Sequence, residues 1–515
     1  MPNITIDNVD TSFQEAFAHH QQGEIELAKR IYEAILLVEP NHFNSLHMLG
    51  VAITDENPSV AVAMISKAID IDPTFVECFN NAANALIKME QYSLAIDCCN
   101  QAISLKGDYW EAYANRGEAL RNLQRWTEAL ISYDLAIDFK KDEARLYSNR
   151  GNVYGELGRL EEGLADLNQS ISLDPQNPEA FLNRGNIHQE LGRLELAKQD
   201  YTKAIELAPN LADAHFNLAL LLLLEGNLEE GWAKYDWRWK RKKLDSDPLI
   251  SEKPKWQKGD KHDRVLVWAE QGVGDHVFFG SLLPEMKQLV PNLLVQIDER
   301  LIPLFQRSMP EIAFYPSNQP LDESQYDAHL PMGDLAAIFR SKKEDFANRK
   351  DAFLIADKER ARKIRQSLCK DDEVLIGISW KSKNKQSGLK RSYKLVRLAS
   401  QLISPGVKLV NLQYGDVKEE LEQLKREHGI EILQCANVDN TNDLDGLAAL
   451  IEACDKVESV DNTTVHIAGA IAKKTSVHLL LKKNWRWVKY SDKHCWYQKI
   501  EFPNDYLENL SLHLL

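Results

Sequence analysis

The sequence predicts an α-solenoid in its first half and an α/β region with two Rossmann-like lobes in its second half. The solenoid is indicated by the phrase "NRG", which begins at Asn115, Asn149 and Asn183, at equal intervals of 34 residues. A constant period of this length is typical of stacked helical repeats. After about residue 260, short apolar runs alternate with helical segments. That alternation favours parallel sheets covered by helices.

The repeats can be followed through small residues that recur at one place in each period. These residues are Ala28, Ala61, Ala95, Ala129, Gly163, Ala197 and Gly231. The apolar residues between them follow helical spacing, as in "AYANRGEALRNL" and "WTEALISYDLAI", so each period predicts two antiparallel helices. The glycine of each "NRG" would let those two helices approach closely. We therefore predict about seven repeats within residues 1–240.

A second architecture follows a charged, proline-containing linker at residues 241–260. The clearest predicted strands are "RVLVWAE", "NLLVQID", "EVLIGISW", "VKLVNLQY" and "KTSVHLLL". They divide between a lobe at 261–365 and a lobe at 366–515. In open α/β sheets, ligands bind outside the carboxyl ends of the strands. The loops after these strands are therefore the places where functional residues are expected.

Composition excludes several classes of function. A net charge of −15 argues against a nucleic-acid partner, which needs a basic face. No apolar stretch approaches the roughly 20 residues of a membrane span. The seven cysteines lack metal-ligand or disulfide spacing, so we expect a cytoplasmic protein without a metal site. The "NDLD" segment at 442–445 has the spacing of a metal-nucleotide site, but it precedes a helix and is expected to cap it.

The first loop of interest is "WAEQGVGDHVFFGSLLPEM", which places Gly272, Gly274 and Asp275 between a strand and an apolar helix. Glycines at such a position permit a ligand to approach the backbone closely, and the start of the helix favours an anion. Asp275 has two possible roles. Its carboxylate can cap the free amides of the helix, or it can act as a general base in the cleft.

The second loop, "SWKSKNKQSGLKRSYK", is strongly basic in an acidic protein. Most such runs are solvated surface. Its position after a strand also favours a clamp for a diphosphate, in which cations neutralise the charge that grows as a phosphate leaves. Lys381 and Arg391 are the best candidates for that contact.

The third loop lies in "VESVDNTTVHIAGAIAKK", where Asp461, Asn462, Thr463 and Thr464 would begin a helix. Free amides and the helix dipole at that point attract an anion, and threonine hydroxyls add donors. The alternative is an ordinary helix cap. His466 is either a ligand contact or a histidine that packs inside the lobe.

These loops, together with the junction "EEGWAKYDWRW", "WRW" at 485 and "WY" at 496, carry a family resemblance. The chain resembles bacterial tetratricopeptide-repeat proteins with a C-terminal GT-B glycosyltransferase domain of the heptosyltransferase type. In architecture it is similar to the protein O-linked N-acetylglucosamine transferases. The resemblance implies an acceptor-side lobe at 261–365 and a nucleotide-sugar lobe at 366–515. Where the heptosyltransferase pattern reads "DTGxxHLA", this sequence has Asn462 and Thr463, so the donor sugar stays open.

The resemblance also implies roles for individual residues. Asp275 corresponds to the catalytic base. The donor-binding residues would be Gly272, Gly274, Lys381, Arg391, Asp461, Asn462, Thr463, Thr464 and His466. The expected activity is an inverting, metal-independent transfer of a sugar from a nucleotide donor to Ser or Thr of an acceptor protein, with flagellin as one candidate. No cofactor beyond the nucleotide sugar is expected. The alternatives are a transferase acting on a glycan or lipid-linked saccharide, and a non-catalytic scaffold with a decayed transferase domain.

The asparagine of the repeated phrase forms a longer series on the first helix of each repeat. Its members are Asn81, Asn115, Asn149, Asn183 and Asn217, which we call the asparagine row. An amide side chain both donates and accepts, which suits the peptide groups of an extended chain. In the O-linked N-acetylglucosamine transferases a similar row grips the acceptor polypeptide on the concave face. The alternative is that these amides form hydrogen bonds between adjacent repeats.

Overall fold

The computed structural model describes residues 4–241, 247–347, 349–382, 392–479, 484–488 and 496–503. The chain forms two compact units, Met1–Pro209 and Asn210–Leu515. Within the described residues, no helix is both long and apolar enough to cross a lipid bilayer.

Helix pairs fill the repeat region, as the period predicts. The helices are α1 Val9–Gln21, α2 Ile25–Val38, α3 Phe43–Ile53, α4 Pro58–Ile71, α5 Val76–Lys88, α6 Tyr92–Leu105, α7 Trp110–Asn122, α8 Trp126–Phe139, α9 Ala144–Glu156, α10 Leu160–Leu173, α11 Pro178–Glu190, α12 Leu194–Leu207, α13 Ala212–Glu225 and α14 Leu228–Tyr235. The first six pairs form the first unit, and the pair α13 and α14 belongs to the second unit. Seven helical repeats are thus confirmed.

The glycine of the repeated phrase allows the two helices of a repeat to pack closely. A β-carbon at Gly117 would lie 2.8 Å from the ring of Tyr133, and one at Gly185 would lie 2.7 Å from the ring of Tyr201. Both tyrosines are fully buried on the second helix of their repeat. Any larger side chain at these glycines would push the helix pair apart.

The arginine of the repeated phrase links three helices. Arg150 on α9 donates from Nε (2.7 Å) and Nη2 (2.8 Å) to Asp166 on α10, and from Nη1 (2.7 Å) to Asp134 on α8. The same pattern recurs with Arg116 bonded to Ser132 and Asn100, and with Arg184 bonded to Asp200 and Asn168. Each guanidinium therefore ties the second helix of its own repeat to the second helix of the preceding repeat.

We expect Arg150→Ala to lower the free energy of unfolding by about 2 to 4 kcal/mol, because it leaves the Asp166 carboxylate largely buried without its cation. Chemical denaturation of the full chain measures this loss. Arg145→Ala, at an exposed position on the same helix, is the matched control and should change stability by less than about 0.5 kcal/mol. Equal stability of the two variants would show that the hydrogen bonds of Arg150 to Asp166 and Asp134 contribute nothing to stability.

The second unit contains two parallel sheets. The first has the strand order β3-β2-β1-β4 and comprises β1 Arg264–Trp268, β2 Asn292–Ile297, β3 Ala313–Pro316 and β4 Ala328–Pro331. The second has the order β10-β9-β8-β5-β6-β7 and comprises β5 Val374–Ser379, β6 Val407–Asn411, β7 Ile432–Leu433, β8 Lys456–Val460, β9 Thr475–His478 and β10 Ile500–Glu501. All five strands predicted from the sequence are present, and the region is an α/β domain with parallel sheets.

Helices cover both sheets. They are α15 Val273–Gly280, α16 Leu283–Leu289, α17 Ile302–Ser308, α18 Asp334–Phe339, α19 Lys358–Leu368, α20 Leu395–Leu402, α21 Lys418–His428, α22 Leu444–Ala453 and α23 Thr463–Ala470. Helix α15 follows β1, helix α23 follows β8, and these two helices contact each other across the lobes. This contact brings together the loops at the carboxyl ends of strands from the two sheets.

The junction after the last repeat anchors the loop that follows β1. Trp232 donates its indole N–H to the carbonyl of Arg340 at 2.9 Å. Arg238 is buried and donates two hydrogen bonds of 2.8 Å to Glu270 and one of 2.5 Å to Asp334. The motif "EEGWAKYDWRW" therefore supports the position of the first predicted site loop. The end of the predicted linker also joins the first sheet, because Lys255 forms a parallel bridge with His329.

Candidate functional site

A cavity of about 600 Å³ lies in the second unit, beside the carboxyl ends of β1, β5 and β8. Three segments form much of its wall: Gln271–Asp275 after β1, Asp461–Thr463 after β8, and the turn Trp485–Arg486. The walls therefore come from both lobes, as expected for a ligand site at the ends of parallel strands.

The structure brings most of the predicted site residues together. Those that line the cavity are Gly272, Gly274, Asp275, Asp461, Asn462, Thr463 and His466. Lys381 and Thr464 do not line it, although Ser382, next to Lys381, does. Arg391 lies outside the described residues.

The N-termini of α15 and α23 meet at this cavity. A β-carbon at Gly274 would lie 3.1 Å from Cδ2 of His466 and 3.7 Å from Cα of Thr463. The glycine therefore allows the close approach of the two helices. Because both helix dipoles point their positive ends toward the same space, the cavity favours an anion.

Asp275 has a charged partner that the sequence did not reveal. Its Oδ1 accepts a hydrogen bond of 2.5 Å from Nη2 of Arg486, whereas the N–H of Gly272 is 3.4 Å from Oδ2. The capping interaction is thus long, and the ion pair is the main contact. Burial raises the pKa of the Asp275 carboxyl, but Arg486 and His466 outweigh this effect and hold the pKa below its usual value. The carboxylate is ionised at neutral pH, yet it is a weak base while Arg486 remains bound.

Asn462 and Thr464 act inside the lobe. Oδ1 of Asn462 accepts from the N–H of Thr464 at 3.0 Å, and its Nδ2 donates to Oγ of Ser379 at 2.7 Å. The Thr464 hydroxyl is fully buried and donates to the carbonyl of Leu412 at 3.3 Å. The expectation that the Thr464 hydroxyl offers a donor to a ligand is therefore not met. These residues cap α23 and hold its N-terminus at the end of β5.

Lys381 is turned toward a carboxylate on the second lobe. Its ammonium pairs with Glu420, and its backbone N–H donates to Oε1 of Gln413 at 2.9 Å. Its carbonyl accepts from Nδ2 of Asn462 at 3.2 Å. The structure thus places the Lys381 side chain in an ion pair rather than at the cavity wall, because a negative partner lies within reach on α21.

His466 combines a packing role with a place at the cavity. Its Nδ1 lies 3.0 Å from the hydroxyl of Tyr497, and its ring stacks on Trp487 with centroids 5.2 Å apart. Its Nε2 lies 3.9 Å from Oδ1 of Asp461. The interpretation of His466 as a packing histidine agrees with these contacts, while its edge still faces the loop of Asp275.

Three arginines in the cavity wall were not predicted: Arg241, Arg300 and Arg486. Arg241 donates to Asp213 at 2.6 Å, and Arg300 donates to Asp298 at 2.8 Å. They come from three distant parts of the chain, so no local pattern joins them. Only Arg486 stood in a recognised motif, where it is flanked by two tryptophans that suggest packing rather than binding.

The "NDLD" segment is a helix cap, as predicted. Asp443 accepts from the N–H of Gly446 at 2.8 Å at the start of α22 and pairs with Arg360. Asp445 pairs with Arg307. Both carboxylates are therefore engaged with arginines of the surrounding helices.

The asparagine row forms hydrogen bonds between adjacent repeats of the first unit. Nδ2 of Asn115 donates to Asn80 at 2.9 Å, and Nδ2 of Asn183 lies 3.4 Å from Oγ of Ser148. Nδ2 of Asn81 lies 2.8 Å from Nε2 of His47 in the same way. Asn149 on α9 is half-buried, and so is Asn217 on α13 of the second unit. The inter-repeat alternative is therefore realised at three positions through the amide nitrogen.

The row lies on the helices that face one another along the solenoid. First helices of neighbouring repeats, such as α5 with α7 and α9 with α11, contact each other more extensively than the second helices do. First helices therefore line the inner side of the stack. Within the first unit, a chain lying along that side would run past Asn81, Asn115, Asn149 and Asn183.

Comparison with known proteins identifies the repeats. Sequence models of the tetratricopeptide repeat match residues 80–144, 178–211 and 200–233, and a TPR repeat model matches residues 151–192. The helices within these matched residues are thus tetratricopeptide repeats. These matches lie within the helical region.

One characterised relative is Protein FlbA of Caulobacter vibrioides, which is 32% identical over 282 residues. The match covers 50% of this chain and 46% of FlbA, so the chain spans less than half the length of that relative. Among solved structures, a thermophilic TPR protein of Thermus thermophilus is 24% identical, with a TM-score of 0.33 over 35% of this chain and 99% of that chain. A tetratricopeptide repeat protein from Parabacteroides merdae is 16% identical, with a TM-score of 0.39 over 45% of this chain and 91% of that chain.

Proposed function

We propose that this protein is an inverting, metal-independent GT-B glycosyltransferase that transfers a sugar from a nucleotide donor to Ser or Thr of an acceptor protein. The observation that carries the proposal is the cavity between the two α/β lobes. It holds the carboxylate of Asp275 next to the guanidinium of Arg486 and to the N-termini of two helices. A group that can take a proton and groups that can hold a phosphate thus lie in one site.

The chemical step needs both kinds of group. The acceptor hydroxyl oxygen bonds to the anomeric carbon of the sugar, and its proton passes to Asp275. The bond between that carbon and the diphosphate oxygen breaks, and the nucleoside diphosphate leaves with the electron pair. Arg486, Arg300 and the amides at the start of α23 would stabilise the negative charge that develops on the leaving group.

The repeats would bind the acceptor polypeptide. Tetratricopeptide repeats bind peptide or protein partners, and the asparagine row places amide side chains on the first helices of the solenoid, where Nδ2 of Asn115 and of Asn183 also bonds to the preceding repeat. Flagellin, which the family resemblance suggests, is the first acceptor to test. The same donor chemistry would also serve a glycan acceptor, in which case the repeats would locate the enzyme rather than bind its substrate.

A non-catalytic scaffold is the second candidate, and one observation favours it. Asn462, Thr464 and Lys381, which were expected at the donor, all have structural partners inside the second lobe. A site that had lost its ligand would keep such contacts.

A thermal-shift screen of nucleotides and nucleotide sugars separates the two candidates. A ligand present at 100 times its dissociation constant should add about 2.7 kcal/mol of apparent stability. Stabilising donors would then be tested for transfer to flagellin and to other acceptor proteins. If no nucleotide or nucleotide sugar stabilises the protein, the scaffold is the better description.

We expect Lys381→Ala to change donor affinity less than about threefold, because its ammonium is already neutralised by Glu420 away from the cavity wall. Titration calorimetry with the donor identified by the screen measures this effect. Glu420→Gln is the matched comparison. It removes the partner of Lys381, so we expect the released ammonium to raise donor affinity. A tenfold loss in Lys381→Ala would instead show that the lysine turns to the donor phosphate.

A further inference from the structure

The ion pair between Arg486 and Asp275 is part of the cavity wall. Nη2 of Arg486 lies 2.5 Å from Oδ1 of Asp275, and both residues line the cavity. The arginine side chain is 16% exposed and the aspartate side chain is 20% exposed. Screening by water is weak at such a site, so each charge strongly influences the other and any ion that enters.

The other two cavity arginines are held differently. Arg241 and Arg300 pair with Asp213 and Asp298, and neither of these aspartates is among the residues that line the cavity. Their carboxylates therefore hold the guanidinium groups from behind the wall. The pair of Arg486 and Asp275 is different because an entering anion would meet both of its members.

Arg486 also has unused donor capacity. Its Nε is buried and has no hydrogen-bond acceptor among the residues that the structure describes. The guanidinium lies over the ring of Trp485, 4.7 Å from the ring centroid, and 5.7 Å from that of Phe278. These contacts keep the planar group in place, and its fork of N–H donors matches two oxygens of a phosphate.

We propose that Arg486 binds a phosphate of the ligand and exchanges Asp275 for that phosphate when the cavity is filled. Asp275 would then lose its cation at the moment when a ligand is present. If the proposed sugar transfer is correct, on which this second consequence rests, donor binding converts Asp275 from a weak base into an effective one. The empty cavity would keep its charges paired, and the filled cavity would assemble the base.

The surroundings of Asp275 determine the direction of the change. The titratable groups that interact with Asp275 are Arg486, His466, His276 and Tyr497, and Asp461 and Tyr235 act on Arg486. Burial raises the pKa of Asp275 and Arg486 lowers it. When Arg486 turns to a phosphate, the lowering effect weakens, and the new anion raises the pKa further. Ligand binding should therefore be accompanied by proton uptake at Asp275 in acidic solution.

The first test is the binding of inorganic pyrophosphate to the full chain by titration calorimetry. We expect Arg486→Gln to weaken binding by about 10- to 100-fold, because a charged bidentate contact is lost. Arg307→Gln removes another arginine–aspartate pair of the same unit outside the cavity and should stay within about twofold of wild type. Unchanged affinity in Arg486→Gln would overturn the assignment. If that variant does not fold, Arg486→Lys keeps the charge but not the fork, and it should still bind at least about fivefold more weakly.

The second test measures proton uptake on pyrophosphate binding at pH 5 in buffers of different ionisation enthalpy. Pyrophosphate itself titrates, so the informative quantity is the difference between wild type and Asp275→Asn. We expect wild type to take up more protons than Asp275→Asn, and equal uptake would contradict the exchange. Neither test requires sugar transfer. If both tests give the expected results and the protein shows no transferase activity, the proposed sugar transfer is contradicted, and the exchange of Asp275 for a phosphate still stands.

Discussion

Asp275→Asn is expected to lower the rate of sugar transfer by about 100- to 10,000-fold, while donor affinity stays within a few fold of wild type. An asparagine keeps the shape of the side chain but cannot take the proton of the acceptor hydroxyl. Turnover at saturating donor and acceptor measures the effect. Near-normal turnover would eliminate Asp275 as the base.

A matched control separates the loss of the base from the loss of an ion pair. Asp445→Asn breaks the pair with Arg307, which lies outside the cavity. It should leave turnover within about twofold of wild type and shift stability by a similar amount to Asp275→Asn. A large fall in turnover for both variants would indicate a general disturbance of the α/β unit.

The pH dependence of transfer gives an independent view of the same residue. A general base works only when deprotonated, so activity is lost as the pH falls through the pKa of Asp275. In the empty cavity that pKa is below its usual value, so the acid limb of kcat/KM for the donor should lie below the pH range in which an ordinary aspartate titrates. The acid limb of kcat reports the protein with a filled cavity, and we expect that limb at a higher pH than the acid limb of kcat/KM. If the two acid limbs coincide, Asp275 is not exchanged for a phosphate.

Replacing Asn115, Asn149 and Asn183 together by Ala should reduce modification of a protein acceptor by at least about tenfold and leave donor affinity unchanged. The acceptor chain would lose three amide contacts, each contributing about 0.5 to 1.5 kcal/mol. Because Asn115 and Asn183 also bond to the preceding repeat, we expect a loss of stability of about 1 to 2 kcal/mol as well. Acceptor modification, donor binding and unfolding are measured on the same preparation.

The structure supplies a control that removes the inter-repeat bonds but keeps the asparagine row. Asn80→Ala with Ser148→Ala deletes the partners of Asn115 and Asn183. This variant should be destabilised to a similar degree, yet it should modify the acceptor normally. If it loses acceptor modification as fully as the triple variant, the row serves the solenoid alone.

Local periodicity explains why the solenoid was predictable. The helix pairs and the close approach at Gly117 and Gly185 follow from residue spacing, because each repeat places the same residue types in the same local environment. The partners of Arg150 were not predictable in the same way. They lie 16 residues to either side, and Asp134 is on a helix of the preceding repeat that meets α9 only after the repeats stack.

The α/β unit also contains elements that local sequence predicts and elements that depend on the folded protein. Strands β1, β2, β5, β6 and β9 carry apolar runs and were predicted. The unpredicted β7 and β10 are two residues long, so their pairing depends on the neighbouring strand more than on their own sequence. β8 is buried although it contains Glu458 and Ser459. Because these two residues are polar, β8 does not stand out as an apolar run in the sequence.

For the site, the sequence alone determined the strand–loop–helix positions of Asp275 and Asn462, since glycines, capping residues and apolar helices form local signals. The tertiary structure alone decided which charges meet there. Arg486 reaches Asp275 from 211 residues away, while Lys381 turns to Glu420 instead of the cavity. The physical reason is that an ion pair depends on which surfaces the packed lobes bring within a few ångströms, and no local spacing encodes that distance.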